Sequence, residues 1–281
     1  MCTSDSLKCA AWFAAHRHPA PDPARGRAPV AGEGGRRSAI ARSQPRIDMM
    51  TSGARELLKW IALVLMTGDH VAKVFFGGYV PVVSELGRIA FPVFAIVLAY
   101  NLAQPGVDAL KSFRRLLLWG ILAQPAYGLA FGFWFPFNIL LSFALASVAI
   151  WSIQHRQWVL LGMCSVVAPL LVDYQWSGLA LVLSAWWLFR AAVDARGGAS
   201  AAIVPGAVGA WHGRGLRLIL VAAGFGLLCW YNRNGWALLA IPLLAVLAPR
   251  NVQVPRMRWV FYGYYLGHLT LMAVLVRVLA A

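Results

Sequence analysis

Charge is what this sequence has least of. Only 12% of its 281 residues are Asp, Glu, Lys or Arg, against 60% hydrophobic. A soluble domain carries about a quarter charged residues, so the shortage excludes a large water-soluble globule. An integral membrane protein is the first expectation. Acidic residues are the scarcest of all, ten against 25 Lys and Arg, for a formal charge of +15. Cysteine is scarce as well. Cys2, Cys9, Cys164 and Cys229 show no Cys-x-x-Cys or metal-ligand spacing, and the last two sit in apolar runs. Zinc, a structural disulfide and thiol chemistry are not expected. No internal repeat is found, which argues against a repeat-built transporter.

Apolar periodicity is missing from the first 48 residues. HRHPAPDPARGRAPVAGEGGRRSAIARSQPR is rich in Pro, Gly, Ala and Arg, so residues 1–48 are expected to be a disordered tail. AAWFAA is too short for the apolar core of a signal peptide. The His16–His18 tract reads as solvated tail rather than as a metal site. Organised sequence begins after Met49 and Met50, either of which would serve as a start.

What is abundant is apolar runs separated by short polar breaks. A span needs about 20 residues, and nine candidates follow: 57–76, 86–104, 116–133, 137–153, 157–172, 176–190, 216–231, 235–249 and 259–280. The expected fold is therefore all-α, a polytopic helical membrane bundle over residues 49–281 with about nine transmembrane helices. With the N-terminus in the cytoplasm, 21 of the 25 Lys and Arg fall in cytoplasmic segments, ten up to Lys59 and eleven in later loops. The exceptions are Lys73, Arg88, Arg233 and Arg277. This matches the positive-inside rule and spreads the positive charge over loops, which removes nucleic acid as a partner. Lys111, Arg114 and Arg115 are read as topological charge of this kind.

Against that background a few polar residues lie inside apolar runs. In MTGDHVAKVFF, Asp69 and Lys73 stand four apart and can pair along one helix face, with His70 about 100° from Asp69. One reading is an internal ion pair near the outer end of the first helix. The other is a reaction site, because intramembrane ionisable residues are costly and mark function, and an Asp beside a His suits base chemistry. Arg88, in ELGRIAFPVF, either pairs with Glu85 or faces the same cavity as Asp69 and His70, and Pro92 is expected to kink its helix. His268, in YYLGHLTL, falls near mid-membrane with Tyr264 and Tyr265 as neighbours. Asn101, Gln124, Asn138 and Asp173 are weaker candidates, Asn138 being equally a helix cap.

These residues carry a resemblance. LLKWIALVLMTGDHVAKVFF followed by GRIAFPVFAIVLAYNL resembles the opening of the TraX family of conjugal-transfer membrane proteins. That family shows a lysine-led apolar helix ending in Asp-His, then Gly-Arg-x-Ala-Phe-Pro-x-Phe. FNILLSFALA is similar to its Asn-led fourth helix, and LLVDYQWSGLALVLSAWWLFR to its Asp-Tyr-x-x-x-Gly segment. WVFYGYYLGHL is similar to its C-terminal aromatic helix ending in His-Leu. The match covers about residues 55–280 and departs at Leu266, where the family often has Pro before the histidine.

The resemblance implies an acetyltransferase in the bacterial inner membrane. It would transfer acetyl from acetyl-CoA to the N-terminal amine of a conjugative pilin, with membrane lipid as its other partner and no metal. It is also similar to membrane acyltransferases that acylate surface glycans. On this view His70 is the general base, Asp69 orients or stabilises it, and His268 is a second polar wall or proton shuttle. Arg88, Lys73 and Asn138 are the expected substrate-binding residues, Arg88 neutralising oxyanion or phosphate charge. The rivals are a non-catalytic pilus-assembly or pilin-docking membrane protein and a glycan acyltransferase.

Overall fold

The computed structural model describes residues 49–197, 207–257 and 259–279. The expected disordered tail lies outside the described residues. Among them there is no β-strand, and helix follows helix: α1 (Ser52–Phe75), α2 (Val83–Gly87), α3 (Ala90–Ala103), α4 (Ala109–Phe131), α5 (Ile139–Gln154), α6 (Trp158–Val166), α7 (Gln175–Gly197), α8 (Ala207–Asn232), α9 (Ala240–Leu247) and α10 (Val260–Leu279). Two 3-10 turns, Ala168–Leu171 and Trp236–Leu239, precede α7 and α9.

The end at which α1 begins is termed the inner end. The Thr51 hydroxyl accepts from the Ala54 amide at 3.1 Å and caps α1. It also donates to the Arg250 carbonyl at 2.8 Å, tying the last connection to the first helix. α3 is apolar all round and sits in the middle, with Phe91, Val93, Ala95, Ala99, Leu102 and Ala103 all buried. A helix without a polar face is a core helix. The peripheral helices turn large apolar side chains outward instead: Ile219 on α8 is 66% exposed, Trp230 79%, and Val278 on α10 65%. Such a belt has no place in water and fits a membrane.

Among the described residues, four helices are long and apolar enough to cross a membrane: Val83–Ala103, Gln175–Ala195, Gly213–Asn232 and Val260–Leu279. The expectation of nine spans is corrected accordingly. α1 and α4 are long but hold no stretch of span length that is both apolar and charge-poor enough, and α5 has 16 residues. The segment 157–172 is not a continuous helix, and within 235–249 the apolar helix Trp236–Leu247 is too short to cross. Proline explains the first interruption, because it has no N–H and its ring crowds the carbonyl four residues back. Pro169 frees the Ser165 carbonyl, which accepts from Trp176 Nε1 at 3.0 Å. Pro92 acts in the same way: its crowded carbonyl is that of Arg88, and the break between α2 and α3 falls at Arg88 and Ile89.

Candidate active site

Each ionisable residue is held where it is by a local rule of packing. α2 crosses the outer half of α1 at Gly87. A Cβ there would stand 2.9 Å from Asp69 Cγ and closer still to its Cβ, so only glycine lets the helix lie on Asp69. The next residue, Arg88, is thereby delivered to the same level as Asp69. Asp69 is buried and its Oδ2 pairs with Lys73 Nζ at 2.6 Å. Arg88 does not pair with Glu85, which instead accepts from the Tyr79 hydroxyl at 2.7 Å and the Val82 amide at 3.0 Å. Arg88 turns inward and donates through Nη1 to Asn232 Oδ1 at 3.4 Å.

Asp173 joins this group from α7's leading loop. A backbone bridge holds it there: the Phe137 amide donates to the Leu171 carbonyl at 2.7 Å, and the Asp173 amide to the Phe137 carbonyl at 2.9 Å. Asp173 lies within Coulomb range of Lys73, Arg88 and Asp69. Its neighbour Tyr174 has φ of 61° and Gln175 of 42°, two successive left-handed residues without glycine. Strain of this sort persists where the surroundings over-determine it, and it clusters at functional sites. The surroundings here are clear: Tyr174 stacks on Phe91 at 3.9 Å, and a Cβ at Gly178 would stand 2.7 Å from the Phe91 ring and 2.9 Å from Tyr174 Cβ. The Asp-Tyr-x-x-x-Gly pattern thus has a physical meaning. Glycine makes room for the tyrosine that fixes the aspartate.

The two histidines meet although 198 positions separate them. His70 Nδ1 and His268 Nε2 are 3.0 Å apart, and their rings stack at 5.2 Å and 14°. His268 Nδ1 lies 2.9 Å from the Tyr264 carbonyl. That last contact decides the protons. A carbonyl only accepts, so neutral His268 carries its proton on Nδ1 and offers the lone pair of Nε2. His70 must then donate through Nδ1, which leaves the lone pair of His70 Nε2 with no hydrogen-bond partner among the described residues. Phe131 packs edge-on against His70 at 5.1 Å, and Tyr265 against His268 at 5.4 Å. Both rings are therefore fixed in plane and tautomer.

Of the residues named from sequence, His70 and His268 form one unit, and Asp69 with Lys73 a second at the level of Arg88. Asp69 does not contact His70; the orienting partner is His268. Asn138 stands apart as the cap of α5. Its Oδ1 accepts from the Leu140 amide at 3.1 Å, and its Nδ2 donates to the Gly120 carbonyl and Gln124 Oε1, both at 2.8 Å. Asn232 was not singled out from sequence, and Asp173 only weakly. A carboxylate in the apolar run PLLVDYQW was the available signal for Asp173; Asn232 offered none, lying in a polar break. Three buried polar atoms in this region, Asp69 Oδ1, Arg88 Nε and Asn232 Nδ2, have no hydrogen-bond partner. Unpartnered buried groups gathered in one place mark a spot where water or a ligand belongs.

The family model described as "TraX protein" matches residues 54–276. "Protein TraX" of Escherichia coli is 35% identical over 148 residues, 50% of this chain and 58% of that protein. "Protein TraX" of Escherichia coli strain K12 is 30% identical over 162 residues, 55% of this chain and 65% of that protein. "Uncharacterized protein RP591" of Rickettsia prowazekii is 26% identical over 122 residues, 43% of this chain and 46% of that protein. The chain thus spans less than two thirds of the length of each relative. No solved structure matches. The matched segment holds every ionisable residue of this site, and the chain belongs to the TraX family.

Proposed function

We propose that this chain is a membrane-embedded acyltransferase that moves an acetyl group from acetyl-CoA to an amine. The N-terminal amine of a conjugative pilin is the acceptor that fits the family, and the bacterial inner membrane the location. The observation that carries the reading is the open Nε2 lone pair of His70, held in place by His268 and the Tyr264 carbonyl. A general base needs a fixed, accessible lone pair. An amine acceptor must also shed a proton to attack.

The step balances as follows. The amine nitrogen attacks the thioester carbonyl carbon, and one N–H proton passes to His70 Nε2. The C–S bond breaks, the amide forms, and the thiolate leaving group takes the proton back from His70. During that interval His70 is an imidazolium. Its Nδ1–H stays bonded to His268 Nε2, which stabilises the charge, and His268 stays anchored to Tyr264. Arg88 supplies a fixed cation for oxyanion charge on the carbonyl. Asp69 is neutralised by Lys73 and acts on the field of the site rather than on the proton.

Mass spectrometry of the cognate pilin from cells with and without this gene tests the reading. A pilin heavier by one acetyl group only when the gene is present supports it. An unchanged pilin mass overturns the choice of acceptor, and acetate found instead on a surface glycan redirects the same chemistry.

A further inference from the structure

The inner end of the bundle holds a cavity of about 490 Å³ that is lined by none of Asp69, His70, Lys73, Arg88, Asp173 and His268. Arg55, Lys59, Lys111, Arg115 and Arg256 line it, against two carboxylates, Glu56 and Asp108. Each carboxylate already has a partner. Asp108 caps α4 through the Leu110 and Lys111 amides, and Glu56 Oε1 pairs with Lys59 at 2.7 Å. Three of the cations lie over aromatic faces: Arg55 over Tyr100 at 5.5 Å, where it also donates to Asn101 Oδ1 at 2.7 Å, Lys59 over Phe261 at 4.3 Å and Arg115 over Tyr262 at 5.6 Å. Cation–π contacts orient a cation without neutralising it.

Topological charge alone does not account for this arrangement. Arg114, one residue away, is exposed and points away from the cavity, as a positive-inside residue does. Arg115 is turned in, and its Nε is buried without a partner. Arg55 and Arg256 both lie within Coulomb range of Lys59. Like charges converging on a hollow are unfavourable unless an anion completes them. Glu56 is buried, and its Oε2 is a second unpartnered atom here, an acceptor open to an N–H.

We infer that this cavity is the seat of a phosphate-bearing nucleotide with a long amide arm, a coenzyme A thioester. The phosphates sit among Arg55, Arg115 and Arg256, and the arm runs up the cavity toward the histidines. Only the thioester and its destination rest on the acyl-transfer reading; the affinity for phosphates follows from the cavity itself. The dimensions agree. The cavity's far wall includes Met66 and Tyr265. Met66 lies one helical turn from His70, and Tyr265 packs on His268. Along α1, Lys59 lies about 16 Å from His70. A phosphopantetheine arm, comparable to an extended chain of five residues, covers roughly 17 Å.

Binding of coenzyme A to the full-length protein in nanodiscs, with the disc lipid either neutral or rich in phosphatidylglycerol, is the test. Coenzyme A is expected to bind in both discs and adenosine 3′,5′-bisphosphate to compete, whereas pantetheine without phosphates competes poorly. Arg115→Gln and Arg55→Gln are each expected to weaken binding about tenfold, as losing a charge-assisted contact does. Arg115→Lys retains part of it, and Arg114→Gln changes nothing. Equal affinity of Arg115→Gln, Arg55→Gln and the parent protein overturns the inference. So does absence of coenzyme A binding, or its loss only in phosphatidylglycerol discs, which makes the occupant a lipid headgroup. Coenzyme A binding with an unmodified pilin leaves this seat standing and removes only the acceptor; acetylated pilin with no binding here does the reverse.

Discussion

The two ends of this bundle handle buried charge in opposite ways. At the outer end two contacts join ionisable side chains, Asp69 with Lys73 and His70 with His268, while Arg88 reaches only Asn232. At the inner end, cations lie over rings and converge on a hollow, with only one carboxylate paired among them. Burying an ion costs several kcal/mol unless it is paired. The outer end offsets part of that cost within the chain, through Lys73, and leaves one basic lone pair uncommitted. The inner end leaves it to be met by an incoming anion. A chemical step belongs with the first arrangement and ligand capture with the second.

The difference breaks most sharply at His70. His70→Ala removes the basic lone pair, while Asp69 keeps Lys73 and His268 keeps the Tyr264 carbonyl, so acyl transfer is expected to fall about 10²- to 10⁴-fold at unchanged protein abundance. Lys73→Met should do the opposite, leaving Asp69 a buried carboxylate without a counter-ion and lowering stability. Product formation at matched abundance separates them. Near-normal turnover in His70→Ala would make the outer end a structural ion network.

His268→Asn comes next. It removes the acceptor that fixes the His70 tautomer without touching the reacting atoms. Partners that orient a working histidine typically contribute 10- to 100-fold, and a loss of about that size is expected in kcat with little change in KM. The pH profile should also shift, because the imidazolium of His70 loses its stabilising neighbour. A merely structural His268 would lower protein yield and leave the pH profile where it was.

Gly87→Ala acts on the scaffold of the same end. The added methyl meets Asp69 Cγ at 2.9 Å, and neither α2 nor α1 is free to retreat. Overpacking of this kind costs about 1–3 kcal/mol. A fall in the thermal midpoint of the purified protein is expected together with reduced activity, because Arg88 moves with α2. Unaltered stability would show that the two helices separate more readily than their packing implies.

Much of this was legible in the chain itself. Asp69, His70, Arg88 and His268 stand out because an apolar run has no reason to hold them, and the helical class follows from the runs. The His70–His268 bond was not legible, since nothing local relates α1 to α10. Nor was the inner cavity: Lys111 and Arg115 look like topological charge until the inward turn of Arg115 is seen. The nine-span count failed for a definable reason. An apolar run does not register where its helix stops: Pro169 interrupts the hydrogen-bond ladder of 157–172, and the helices Ile139–Gln154 and Trp236–Leu247 end short of span length. Asp69 as the orienting group of His70 also did not emerge; adjacent residues on a helix point about 100° apart, and Lys73 is the nearer partner.

The smallest expected effect concerns Asn138, which lies at the outer end yet belongs to neither arrangement. It is fully buried, and both hydrogens of its Nδ2 are already donated, to Gly120 and Gln124. Its Oδ1 caps α5. A substrate finds no free donor there and no surface to approach. Losing an Asn cap costs about 0.5–2 kcal/mol, and the Gly120 carbonyl also loses a partner. Asn138→Ala is therefore expected to lower the unfolding free energy by about 1–2 kcal/mol while KM for donor and acceptor stays unchanged. Asn138→Ser, which keeps the cap oxygen, should recover part of the loss. A raised KM at full stability would instead place Asn138 against substrate and extend the active site to the start of α5.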